Sequence, residues 1–189
     1  MSTLKIAAVL ADRAEARNVA KASQSLMFEA SAEMTEHLPF AALVLGTSES
    51  LMDLKQRTDV GLYLGNERAV LNQPLSMLDH DMLPVIAGVF PMVANPEIGP
   101  KAADTHWREQ HAPIALDVHT AMTHYYQLSV VHRFSGEDWN GLALCCFANE
   151  DDLRNKFYDS PEGKRRVALD VAKFADTRNS PRRVVARLV

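Results

Sequence analysis

Met122-Thr-His-Tyr-Tyr-Gln-Leu-Ser-Val-Val-His-Arg-Phe134, the turn Ser135-Gly-Glu-Asp138 and then Asn140-Gly-Leu-Ala-Leu-Cys-Cys-Phe147 read as two strands with a polar connection between them. Aromatic and β-branched residues fill the first run, and the turn residues let the chain double back. What flanks this pair decides the fold. Upstream, Leu83 to Val93 is a strand whose Pro84 and Pro91 suggest an edge or a bulge, because proline brings no N–H to the ladder. Asn95-Pro-Glu-Ile-Gly-Pro100 turns into a helix from Lys101, with Pro100 suited to its first turn. Downstream, Asn149 can cap a helix opened by Glu150, Asp151 and Asp152, whose charges suit its positive end. Ser160-Pro161 restarts the helix, Val167, Val171 and Phe174 form its apolar stripe, and Arg183 to Val189 closes as a strand. Residues 81–189 therefore read β-α-β-β-α-β, the ferredoxin-like arrangement.

Residues 1–80 read as a degenerate version of the same unit. Lys5 to Leu10 is a strand, and Arg13 to His37, free of Gly and Pro, favours one long helix stopped by Pro39. Ala41 to Leu45 and Asp59 to Leu64 are strands closed by Gly46 and Gly65, and Glu67 to Leu78 reads as a short helix disturbed by Pro74. The order is β-α-β-β-α with no evident fourth strand. The expected fold is thus α+β: two tandem ferredoxin-like units, the first incomplete or borrowing a strand, with antiparallel sheets facing each other so that both inner faces are buried.

Composition narrows the partners. Hydrophobic residues make up 47% and charged residues 23%, as in ordinary globular proteins. The net charge is −4 and no basic stripe gathers, Lys164-Arg165-Arg166 being the tightest cluster, so nucleic acid is not expected. The apolar start, Leu4 to Leu10, is too short to span a membrane. The adjacent Cys145 and Cys146 would point to opposite faces of a strand and cannot bridge comfortably, which fits buried free thiols and a cytoplasmic setting. Neither a metal nor another cofactor is called for by any ligand spacing.

The chemistry centres on Trp107-Arg-Glu-Gln-His111-Ala-Pro113. Ala103, Trp107, Ile114 and Val118 share a helical face, and His111 falls on its edge. Pro113 disfavours helical geometry at Ala112, which makes His111 one of the last helical residues, where the dipole favours its charged form and burial opposes it. Such an imidazole suits general acid–base work near neutral pH. The competing reading is a structural histidine bonded to a carbonyl.

Trp107-x-x-x-His111-Ala112-Pro113, with Tyr125-x-Gln127 in the next strand, resembles the EthD family of dimeric α/β-barrel proteins. Asn140-Gly141-Leu142-Ala143 with Phe147, Asp159-Ser160-Pro161-Glu162 and Asp170-x-x-x-Phe174 continue the likeness across residues 83–189. The resemblance implies a cavity between sheet and helices for a small, often aromatic, molecule. It implies as well a barrel made by a homodimer or, here, an intrachain pseudo-dimer. It implies catalysis without cofactor by His111, an orienting role for Asp170, a hydrogen bond from Tyr125, and substrate contacts from Trp107, Gln127 and Phe174. One departure is notable. Relatives often carry a glutamate where this chain has Leu144 and Cys145.

Three functions compete on these residues. The first is a cofactor-independent lyase or cyclase acting through His111. The second is a binding or assembly module, favoured by the apolar strand Leu142 to Phe147. The third, a haem- or oxygen-using barrel protein, rests on analogy of fold alone.

Overall fold

The computed structural model describes residues 2–31, 38–55 and 59–189. Its strands are β1 (Ser2–Leu10), β2 (Leu26–Ala30), β3 (Ala42–Gly46), β4 (Gly61–Leu71), β5 (Ile86–Met92), β6 (Met122–Ser135), β7 (Gly141–Phe147) and β8 (Val184–Leu188). They close into one antiparallel barrel in the order β1-β3-β2-β8-β5-β7-β6-β4. In each half the neighbours run fourth, first, third, second. The halves are stitched at two seams, β2 to β8 from Phe28↔Leu188 and β4 to β6 from Leu62↔Ser135 to Leu71↔Tyr125. Closure leaves no sheet edge to protect.

Alternation sorts the side chains. One face of each strand fills the bore with residues such as Val9, Phe28, Leu43, Tyr63, Val89 and Leu144. The other face receives helices: α1 (Arg13–Ala22) and α2 (Leu51–Lys55) on the first half, and α3 (Gly99–His106), α4 (Ala112–Val118), α5 (Glu150–Asn155) and α6 (Pro161–Phe174) on the second. Asp12, Asn149 and Ser160 cap α1, α5 and α6 by accepting from the backbone N–H of Glu15, Asp152 and Gly163. Pro91 sits beyond Val89↔Val184, the last β5–β8 pair, so its missing N–H falls where β5 is locally an edge.

The first half departs from its sequence reading in two places. The long helix expected from Arg13 to His37 stops at Ala22; Gln24 turns the chain at φ 50, and Leu26–Ala30 becomes the strand β2. Residues 32–37 of that expected helix, His37 included, lie outside the described residues. The helix expected from Glu67 to Leu78 is also absent, because β4 continues to Leu71, paired with β1 as far as Arg68 and with β6 as far as Leu71. Its charged residues are tolerated in the strand because each meets a partner: Lys5 lies 3.9 Å from Glu67 inside the bore, and Arg68 makes two bonds to Asp104 at 2.7 and 2.9 Å. Ladder pairing thus overrides local helix propensity. The expected want of a fourth strand is corrected with it: the first half contributes β1 to β4 to the barrel.

The second half follows its sequence reading except at His111. Trp107–His111 forms a π turn between α3 and α4, and the helix runs on to Val118. Pro113 does not end the helix, because the wider turn absorbs the residue whose missing N–H would break an α-helical ladder. His111 is therefore not at a helix C-terminus, and the helix dipole does not favour its charged form.

Candidate functional site

A cavity of about 360 Å³ opens between the outer faces of β5, β6 and β7 and the π turn, α4 and α6. It lies outside the barrel bore, between sheet and helices. Trp107, His111, Tyr125 and Phe174 all line it, together with Phe90, Ala143, Cys145, Phe157, Tyr158 and His119. The lining is mostly apolar with a few converging polar groups, as small-molecule sites usually are.

His111 is buried, and its Nδ1 lies 3.0 Å from Oδ2 of Asp170 on α6. Oδ1 of the same carboxylate takes Nε2 of His106 at 2.9 Å. Burial alone would raise the Asp170 carboxyl, but hydrogen bonds from His106 and His111 and their charges outweigh it and hold Asp170 below the usual carboxylate range. An ionised Asp170 accepts, so His111 donates from Nδ1 and keeps Nε2 as its basic nitrogen. Burial is also the largest influence on His111 and pulls its pKa below 6.5, with Asp170 opposing. The imidazole is thus neutral at pH 7 and able to take a proton.

Tyr125 projects from β6 on the same side. Its hydroxyl accepts from Nε1 of Trp107 at 3.2 Å and from Nε2 of Gln127 at 3.1 Å, which leaves its own proton as the donor. Burial pushes its pKa far above the ordinary tyrosine value, so the phenol stays protonated. Gln127 also donates to the Trp107 carbonyl at 3.0 Å, inside the π turn. It is fully buried behind Trp107 and Tyr125 rather than at the cavity wall, which corrects its expected role as a substrate contact. It positions the other two. Phe174 packs on His111 at 5.0 Å, on His106 at 5.5 Å and on Trp107 at 6.4 Å between ring centroids.

Gly141 completes the wall by its emptiness. A Cβ there would stand 2.5 Å from Cζ3 of Trp107, so the Asn-Gly pair is the seat of the indole. The departure at Leu144 and Cys145 is also resolved: Leu144 enters the bore, and Cys145 faces the cavity with its thiol pushed up to about 12 by burial. Cys145 is therefore a protonated apolar wall and not a nucleophile.

Sequence reasoning did not single out His106, His119 or Tyr158. Residues five apart on an α-helix point roughly 140° apart, so His106 and His111 look unrelated until the π turn swings both toward Asp170. His119 ends α4, donates from Nδ1 to the Phe157 carbonyl at 2.5 Å, and lines the cavity, its pKa lowered chiefly by burial. Among the described residues, no group of three or more His, Cys, Asp and Glu is disposed to hold a metal ion. No helix among them is long and apolar enough to cross a membrane.

The EthD domain matches residues 95–178, the span that carries α3, the π turn, β6, β7 and α6. Among solved structures, an anthrone oxidase-like protein aligns with 100% of this chain and 91% of its own at 9% identity and a TM-score of 0.56. A chlorite dismutase variant from Candidatus Nitrospira defluvii aligns with 100% of this chain and 90% of its own at 11% identity and a TM-score of 0.48. The first of these likenesses shows a common α/β-barrel fold. No curated protein sequence matches the chain significantly.

Proposed function

With an EthD domain spanning residues 95–178, we propose that this protein binds a small aromatic molecule between sheet and helices and moves a proton on it without a cofactor. The observation that carries this reading is the Asp170–His111 pair at the wall of an apolar cavity of about 360 Å³. Nε2 of His111 would take a proton from an acidic C–H or hydroxyl, Asp170 would stabilise the imidazolium so formed, and Tyr125 would donate to the oxygen on which charge develops. A lyase or cyclase step on a phenolic or enolisable ketone needs these same groups.

Anthrone, whose type of oxidase names the fold neighbour, is a practical probe because its methylene protons enolise. In D₂O the protein should accelerate deuterium uptake at that carbon, and His111→Ala should lower the enzyme-dependent rate by roughly 10²–10⁴-fold. An unchanged rate in the variant would overturn the proposal. The second reading, a non-catalytic binding module, is favoured by one observation: β7 presents Ala143 and Cys145, not a carboxylate, to the cavity. Tight binding of anthrone with no exchange above background would select it.

We also read residues 1–80 and 81–189 as tandem ferredoxin-like units forming an intrachain pseudo-dimer. The repeated strand order and the two seams within one chain support this. Sedimentation at the mass of a dimer would instead favour a homodimer built from two such barrels. Two buried free thiols support a reducing, cytoplasmic setting.

A further inference from the structure

Arg68 belongs to β4, in the first half of the chain and outside the EthD match, yet it reaches the site of the second half. The seam between β4 and β6 sets it there. Arg68 pairs with Gln127, Gln127 with Ala143, and Ala143 with Phe90, so the four share one row on the outer face of the barrel. The last two line the cavity.

The Arg68 side chain is largely buried, and both of its terminal nitrogens bond the Asp104 carboxylate on α3, at 2.9 and 2.7 Å. Burial alone would raise the Asp104 carboxyl, but hydrogen bonds from Arg68 and Ser129 and the Arg68 charge outweigh it and hold Asp104 below the usual carboxylate range. With the fork fixed on Asp104, the guanidinium carbon stands over the Trp107 ring, 5.4 Å from its centroid. Trp107 in turn donates from Nε1 to the Tyr125 hydroxyl at 3.2 Å. Burial is the largest influence on the Tyr125 phenol and raises its pKa, while the Arg68 charge works in the opposite direction.

A cation over an indole draws on the electron density of the ring, which makes the indole N–H a stronger donor. Hydrogen bonds in a chain polarise one another, so a stronger bond into the Tyr125 oxygen makes the phenol proton a better donor in its turn. We infer that Arg68 is a positioning residue supplied by the first half, held by Asp104 over Trp107 so that Tyr125 presents a strengthened donor to the oxygen on which charge develops. The site of the second half is then incomplete without β4. This rests on the proposed proton transfer in the cavity and adds to it a part from outside the EthD domain.

The test is a double-mutant cycle on the full chain, read as deuterium uptake by saturating anthrone. Arg68→Met, which keeps the apolar stem, should lower the enzyme-dependent rate roughly tenfold, the effect of one partly buried cation–π contact, with anthrone affinity held within about threefold. In a Tyr125→Phe background the same substitution should change the rate by less than about twofold, because the group through which Arg68 acts is gone. Arg68→Lys keeps the charge and loses the fork, so its rate should fall by about threefold in the wild-type background and again hardly at all in Tyr125→Phe; it carries the test if Arg68→Met does not fold. A wild-type rate in the Arg68 variants, or an equal fall with and without the Tyr125 hydroxyl, overturns this inference alone. Absence of enzyme-dependent exchange in the wild-type protein overturns it together with the proton-transfer reading on which it rests.

Discussion

His111 and Asp170 meet at 3.0 Å although 59 residues separate them in the chain, one on the π turn and the other on α6. The second oxygen of Asp170 is held by His106, so the carboxylate cannot swing away without breaking two contacts. An Asp–His pair fixed in this way defines which imidazole nitrogen stays basic. Asp170→Asn removes the charge that raises the His111 pKa while burial still lowers it. The His111 midpoint, followed by NMR, is expected to move to lower pH, and deuterium uptake by anthrone to fall by less than in His111→Ala. A midpoint that stays in place would show that the two groups are not coupled.

The pH dependence follows from the direction of the same shift. The neutral imidazole is the active base, and its pKa lies below 6.5. Activity should therefore be flat around pH 7 to 8 and be lost as pH falls through a midpoint under 6.5. Stability has the same sign: the unfolded chain binds the proton first as pH falls, so the folded state loses ground in that window. A rate profile with its acid limb above 6.5 would contradict the buried, neutral His111.

Gly141→Ala tests the seat of Trp107. The added methyl would stand 2.5 Å from Cζ3 and 3.0 Å from Cη2 of the indole, against wall residues that cannot withdraw freely. Overpacking of this kind costs about 1–3 kcal/mol, a fall in Tm of roughly 2–10 °C. Displacement of the indole should also change tryptophan emission. A variant with wild-type Tm and wild-type emission would refute the tight seat.

How far the sequence reached can be argued from particular residues. The second half was legible because its strands, caps and apolar stripe each carry their own local signal, from Asn149 and Ser160 to Val167 and Phe174. The meeting of His111 with Asp170 was legible through the resemblance, since both stand in its motifs. The π turn was not, because Pro113 looks like an end to the helix and only the tertiary frame lets the turn widen around it. The first half misled for a related reason. Leu26 to Ala30 and Glu67 to Leu71 have helix-favouring compositions, and they are strands because ladder pairing, to β3 and β8 for the first and to β6 and the end of β1 for the second, outweighs propensity.

Tyr125→Phe separates support from chemistry at the cavity wall. The lost hydroxyl is the acceptor of Trp107 Nε1 and one of two acceptors of Gln127 Nε2, which still reaches the Trp107 carbonyl. The indole N–H is then left unsatisfied at a buried position, at a cost of about 1–3 kcal/mol. If Tyr125 only braces the wall, thermal stability should drop and enzyme-dependent exchange on anthrone should hold once the protein is folded. If its proton also stabilises a developing oxyanion, the exchange rate at saturation should fall as well, by on the order of 10²-fold, with little change in the affinity for anthrone. The site as arranged predicts the second outcome, because both donors to Tyr125 leave its proton with no task but to face a ligand. Exchange that stays at the wild-type rate in a folded Tyr125→Phe protein would reduce Tyr125 to a structural brace.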